Sequence, residues 1–408
     1  MSLAACSSSG SSTPSTTSTA FASTTTARPD DGRLELGVIA PRGGSEAELG
    51  TSVRDGVDLA VAEINKAGGV NGQPVRAVVR DEGENPATAA LAMQDLVQMG
   101  VDAIIGPTSS LDALGVLKTA VNAGVLTCSP TASAMSLDAF PDNGLFVRTV
   151  PSDSLEAVAM ARLVEQSGSS QAAVVYLDDA YGRPFAQAVQ RGLQADGTTV
   201  SMSMGVDGSE ASIKKTVATL ADHHPDVVVV VADSSTGPSI INAIDSAIVV
   251  DKPTYVVNDA QRRPSAGSAT FSGSLAQRIE GVSPLAYSSD TTFVRALQGV
   301  DATTTGLYAA NAYDCVNVIA LSAQATHSSV ARTISASVQA VTTNGTACEQ
   351  FSDCATELAA GHNIDYNGPS ETLAIGSDGD VTNAVFDRFG FNDAGRDVSQ
   401  GTITIGSG

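Results

Sequence analysis

The chain has 408 residues, of which 42% are hydrophobic, 4% are aromatic and none is Trp. Its formal net charge is −22, from 44 Asp and Glu against 22 Lys and Arg. The length allows two or three domains, the charge would repel a phosphate backbone or an anionic lipid surface, and no run of about 18 apolar residues is present to cross a bilayer.

Residues 1–32 read as a tether. Fifteen of the twenty residues from Ser7 to Thr26 are Ser or Thr, a composition that cannot bury a core. Leu3-Ala4-Ala5-Cys6 ahead of it resembles a bacterial lipobox, in which a Leu and two small residues precede the cysteine that receives lipid. Cys6 is therefore the expected anchor, fixing a folded body to the outer face of the cytoplasmic membrane, although no charged and apolar signal region stands in front of it.

From Leu34 onward, short apolar runs alternate with helical periodicity. "LELGVIA" (34–40), "PVRAVVRDE" (74–82), "VDAIIGP" (101–107) and "VLTCSP" (125–130) predict strands. Helices fall between them, among them 85–100, with Pro86 at its start and Gly100 past its end, and 109–124, with Ser109 or Ser110 as cap. After "LFVRTVPSD" (145–153) the alternation restarts. Strands are expected at 172–177, 199–204, 226–233 and 254–259, and helices at 184–196, 212–221 and 238–247. Two such runs predict two α/β lobes with parallel sheets covered on both faces. The last third is less regular: a long helix at 306–325, a loop holding Cys348 and Cys354, and short strands around Gly-rich turns at 364–390.

Ligands of open parallel sheets bind beyond the carboxyl ends of the strands. In the first lobe those positions hold Ser109, Ser110, Thr131 and Ser133, hydroxyls beside a helix N-terminus that suits a carboxylate. In the second lobe they hold Asp178, Asp179, Tyr181, Asp233, Asn258 and Asp259. A zwitterion lodged between the lobes would meet donors on one side and anions on the other. Any of these polar side chains taken singly more often caps a helix than touches a ligand. No G-x-S-x-G elbow, P-loop or G-x-G-x-x-G is present, and no histidine follows a strand, so neither an enzyme nor a cofactor is expected. His223, His224, His327 and His362 do not pair with cysteines at zinc spacing, so no metal site is expected. Cys348 and Cys354 are expected to form a disulfide. Cys128 and Cys315 read as small buried hydrophobes, and whether they meet is left open.

The stretches "GVDLAVAEINKAGGVNGQPV", "RDEGENPATAALAMQDLV", "AIIGPTSS", "CSPTAS", "FVRTVPSD", "VVYLDDAYGRPFAQAV" and "NAYDCVNVIAL" resemble the periplasmic binding proteins of the leucine/isoleucine/valine type. These are the substrate receptors of branched-chain amino acid ABC importers. The resemblance implies a type I periplasmic-binding-protein fold, two doubly wound parallel-sheet lobes joined by three crossovers near 149–152, 282–285 and 382–384. The first lobe would comprise 33–149 plus 284–382, and the second 150–283 plus 383–408. It implies a small amino-acid-like ligand, an ABC permease as partner, and a non-enzymatic role. Its carboxylate and amine site falls on Ser110, Thr131 and Ser133 with Ser109 beside them, and on Tyr181 and Asp259 across the cleft. Leu49 and Asp233 stand where leucine-binding members carry tyrosines, and a carboxylate at Asp233 points toward a more polar or cationic ligand. A sensor of the same fold, taking an amide, urea or aromatic acid, is the alternative.

Overall fold

A computed structural model describes Met1 and residues 30–262, 271, 273–370 and 373–406. Cys6 lies outside these residues.

The chain begins with β1 (Glu35–Ala40), α1 (Ala47–Lys66), β2 (Arg76–Asp81), α2 (Pro86–Met99), β3 (Ala103–Ile105), α3 (Ser110–Ala123), β4 (Leu126–Ser129) and β5 (Phe146–Arg148). The strands form one parallel sheet in the order β2-β1-β3-β4-β5. Local chemistry sets the helix ends. Asn85 caps α2 by accepting from the backbone N–H groups of Ala87 and Thr88, and Gly100 closes it at φ 77°, a left-handed conformation that costs glycine nothing.

The second half-turn of the molecule comprises α4 (Asp153–Gln166), β6 (Gln171–Leu177), α5 (Gly182–Ala195), β7 (Thr199–Val206), α6 (Glu210–Leu220), β8 (Val227–Val231), α7 (Thr236–Ala247), β9 (Thr254–Val257), α8 (Gly273–Ala276) and β10 (Ile279–Pro284). Strand β8 is five consecutive valines, all buried, as a central parallel strand covered on both faces requires. The chain then returns to the first sheet through α9 (Thr291–Val300), α10 (Ala309–Thr326), α11 (Ala331–Val341), β11 (Thr346–Cys348), α12 (Phe351–Ala359) and β12 (Ile364–Tyr366). It ends in β13 (Asn383–Phe391) and β14 (Asp397–Gly406), which complete a seven-stranded sheet in the order β14-β13-β10-β9-β8-β6-β7. One apolar core joins β1, β3 and β4 to α1, α10 and α11, and separate cores cover the two faces of the larger sheet.

Helix α10 lies against α1 so closely that a Cβ on Gly56 would stand 2.2 Å from the Ala309 carbonyl oxygen. This glycine is what lets the two helices touch.

Two expectations for the last third need correction, and the open question of Cys128 and Cys315 is answered. Of the segment 364–390, expected as short strands around Gly-rich turns, β12 and the Ile375–Val381 bridge fit, whereas 383–390 belongs to a long antiparallel pair, β13 with β14, with a register shift at Arg388/Phe389. Its pairing is non-local, and the alternation of Ala384 and Phe386 with half-buried neighbours is its only local sign. Cys348 and Cys354 are bonded, as expected, but they join the end of β11 to α12 and are not held in a loop. Cys128 and Cys315, read as packing residues, are also bonded, across 187 positions of sequence. The bond fastens β4 to α10.

Candidate functional site

A cavity of about 900 Å³ opens where the carboxyl ends of the two sheets face each other. Ser109, Ser110, Leu111 and Leu114 line it from α3 and its cap; Tyr181, Asp233 and Asp259 line it from the opposite side. Leu49, Leu177, Leu307, Tyr287 and Tyr308 supply apolar and aromatic wall. Ser109, Ser110, Tyr181, Asp233 and Asp259, with the strand-end residue Asp179, therefore share one space. Thr131 and Ser133 do not line it.

The reason lies in the hydrogen bonds of the β4 loop. Thr131 Oγ1 donates to the Thr108 carbonyl at 2.7 Å, and Ser129 Oγ donates to the Pro107 carbonyl at 2.7 Å. The "CSPTAS" hydroxyls lace two strand-end loops together, leaving Thr131 no hydroxyl proton for a ligand. Ser133 is 8% exposed and its carbonyl accepts the Asp153 N–H at 2.9 Å, where the chain enters α4. Arg148 is fully buried behind this loop. It donates to the Ala132 and Ala134 carbonyls and pairs with Asp380 at 2.7 Å and with Asp138.

The N-terminus of α3 is already partly occupied. Glu82, at the end of β2, accepts from the Thr108 and Ser109 backbone N–H groups at 2.9 and 2.8 Å and from Thr108 Oγ1 at 2.7 Å. Burial raises its pKa to about 7 despite these donors. Ser109 Oγ caps the helix by accepting from Asp112 N–H, and Ser110 Oγ accepts from Ala134 N–H at 3.3 Å. Ser110 thus keeps its hydroxyl proton to offer.

In the facing wall, Asn258 is fully buried and aligns three loops. Its Oδ1 accepts from Ala232 N–H at 3.2 Å, and its Nδ2 donates to Tyr181 Oη at 3.4 Å and Asp259 Oδ1 at 3.5 Å. Burial raises the Asp259 carboxyl to about 6. Tyr181 packs edge-on against Phe185, with ring centres 5.9 Å apart.

Asp233 lines the cavity, but its oxygens accept from Ser235 N–H and Oγ and from Thr236 N–H and Oγ1. Burial would raise its pKa, and those four bonds outweigh it and hold the carboxylate below the usual range. Three of these bonds fall on Oδ1 at the start of α7, and Oδ2 accepts only from Thr236 Oγ1 at 3.2 Å. Among the described residues, Arg262 is the one basic residue in the lining, and it is committed to Asp397 at 2.9 Å, Asp387 at 2.5 Å and Ser283 Oγ at 2.8 Å. Tyr308 caps α10 at φ 54°, a left-handed conformation uncommon for an aromatic residue.

Sequence reasoning passed over Glu82, Glu156, Arg148, Arg262 and Tyr308. Glu82 and Arg148 carried a local sign, their places at strand ends. Among the described residues, no three His, Cys, Asp or Glu side chains are arranged to hold a metal ion, and no helix is long and apolar enough to cross a membrane.

Comparison with known proteins places this architecture. A family model described as periplasmic binding protein matches residues 33–345. The Leu/Ile/Val-binding protein BraC3 of Rhizobium johnstonii is 30% identical over 198 residues, 48% of this chain and 53% of the relative. Matches of this kind span about half the length of the curated relatives. The chemotactic signal transduction system substrate-binding protein BasB of Halobacterium salinarum is 24% identical over 343 residues, 81% of this chain and 80% of the relative. Among solved structures, LivJ of Streptococcus pneumoniae in complex with isoleucine is 18% identical, with TM-score 0.67, covering 91% of this chain and 99% of that one. A solute-binding protein of R. palustris in complex with 4-hydroxybenzoate is 19% identical, with TM-score 0.67, covering 92% and 97%. At these identities the structures speak for the fold, a type I periplasmic-binding-protein fold. With more than half of its length matched by the family model, the chain belongs to the periplasmic binding protein family, whose members bind solutes and are not enzymes.

Proposed function

We propose that this chain is an extracytoplasmic receptor that captures an amino-acid-like ligand between two lobes and delivers it to an ABC importer. One observation carries the reading: the cavity sets the hydroxyls and helix end of Ser109 and Ser110 opposite the carboxylate of Asp259 and the phenol of Tyr181. A zwitterion's two charges match those walls. In this reading Thr131 and Ser133 hold the cradle in shape, and Asp233 shapes the mouth. The lobes, 33–149 with 284–382 and 150–283 with 383–408, close about the crossovers near 149–152, 282–285 and 382–384 as a hinge. Cys6 is the proposed lipid anchor. Replacing Cys6 by Ala should then release the protein from the membrane fraction of its host.

The test is a thermal-shift screen of amino acids, amides and aromatic acids. An amine-bearing amino acid is expected to raise the melting temperature, and Asp259→Ala is expected to abolish that rise. If only aromatic acids stabilise the protein, the ammonium has no role and the reading is wrong. A second reading, a sensor that reports occupancy to a signalling partner, is favoured by the extensive match to BasB, whose name places it in a chemotactic system. Loss of solute uptake on deleting the gene would favour transport; loss of taxis with uptake intact would favour sensing.

A further inference from the structure

Arg148 closes β5 and is fully buried, outside the lining of the cavity. A buried guanidinium is tolerated where its donors find partners, and here each of its five N–H groups does. Nε donates to Asp380 Oδ1 at 2.7 Å and Nη2 to Asp380 Oδ2 at 3.0 Å, a two-pronged pairing. The other Nη2 proton goes to Asp138, and the two on Nη1 go to the Ala132 and Ala134 carbonyls at 3.3 and 3.2 Å. A lysine has three donors and no planar fork, so it could not fill this set.

The partners lead to both walls of the cavity. Ala134, whose carbonyl Arg148 holds, donates its N–H to Ser110 Oγ, and both residues line the first wall. Asp138 accepts from Arg148 and also from Ser152 Oγ at 2.8 Å. Ser152 caps α4 by accepting from Ser154 N–H at 3.0 Å. One turn into α4, Glu156 Oε1 accepts the Asp259 backbone N–H at 2.9 Å, in the facing wall. The guanidinium therefore reaches Ser110 through one intervening residue and Asp259 through one turn of helix.

This network lies where the chain passes between the two sheets. Strand β5 is the edge of the five-stranded sheet, and α4 packs in one of the cores of the seven-stranded sheet. Asp380 stands just ahead of β13, where the chain enters the larger sheet again. Arg148 also donates its backbone N–H to the Gly379 carbonyl at 3.0 Å. One side chain thus grips two of the passages between the sheets together with the loop that carries Ala134.

We propose that Arg148 is a positioning residue for solute binding: it touches no solute, and it fixes how the Ser110 wall stands against the Asp259 wall. This rests on reading the cavity as the solute site, and on no particular solute.

The experiment is hydrogen exchange, read by mass spectrometry, on the full chain without added solute. Asp138→Ala cuts the link from Arg148 to Ser152, while Ser152 can still cap α4 and Arg148 can still pair with Asp380. Exchange in peptides around Asp259 is expected to quicken about tenfold, the worth of one charge-assisted hydrogen bond, while α2 keeps its rate. Arg148→Lys is expected to quicken exchange around Ala134 and Asp259 together. Unchanged exchange around Asp259 in Asp138→Ala would overturn the inference, since Arg148 would then serve its own lobe alone. Faster exchange throughout the protein, strand β8 included, would overturn it too, because lost stability accounts for that without any positioning. Asp138→Ala decides the matter even if Arg148→Lys does not fold. A chain that binds no solute would sink the receptor reading and leave the exchange result as it stands.

Discussion

Asp259 and Glu82 are single residues whose pKa values, about 6 and about 7, tie function to pH. Both lie above their ordinary values of 3.8 and 4.5. The folded state therefore holds these protons more tightly than the unfolded state, and it gains stability below that range. As pH rises from about 4 to about 7 the stabilisation is lost, so thermal unfolding of the ligand-free protein should move to lower temperature across that window. Glu82→Gln should make the slope shallower. Ligand affinity should move the opposite way. A cation needs Asp259 ionised, so titrations are expected to weaken as pH drops below about 6. A flat affinity profile through that pH would show that Asp259 takes no charge from the ligand. None of this was legible in the sequence. Asp259 stands out as an acid after a strand, but its burial and that of Glu82 arise from loops distant in sequence.

Elements were more legible than residues. The βα alternation through 34–259 is written locally, as apolar runs divided by caps such as Asn85 and Gly100, and the strands and helices lie within a few residues of the expected places. The β13–β14 pair and the contacts of α10 were not, because their partners are far along the chain. The α1–α10 contact gives a direct test. Gly56→Ala places a methyl group 2.2 Å from the Ala309 carbonyl oxygen, forcing the helices apart at a cost of about 1–3 kcal/mol. A lower melting temperature is expected. Ligand affinity should fall with it, since Tyr308, the cavity-lining cap of α10, adjoins Ala309. Unchanged stability in Gly56→Ala would mean that the close approach is relaxed in solution.

At the scale of the whole molecule, the Cys128–Cys315 bond closes a loop of 187 positions. A cross-link of that span stabilises by at most about 5 kcal/mol, through the freedom it removes from the unfolded chain, whereas the short Cys348–Cys354 ring contributes about 2 kcal/mol on the same basis. Replacing Cys128 and Cys315 together by Ala should therefore lower the denaturant midpoint more than replacing Cys348 and Cys354. Equal losses would mean that the long loop is already restricted before folding. The sequence left this pairing open, because two cysteines so far apart are brought together only by the packing of α10 beneath β4.

Both covalent links lie on the same side of the cleft, and the larger sheet, β14-β13-β10-β9-β8-β6-β7, carries none among the described residues. The molecule is thus mechanically lopsided: one wall of the cavity is riveted covalently, and the other is held by packing and by ion pairs such as Arg262 with Asp387 and Asp397. A reducing agent should then act as a selective loosener. Amide exchange is expected to quicken through β4 and α10 while the valine strand β8 keeps its protection, so that redox conditions would tune the rigidity of the hydroxyl-bearing wall and leave the acidic wall as it was.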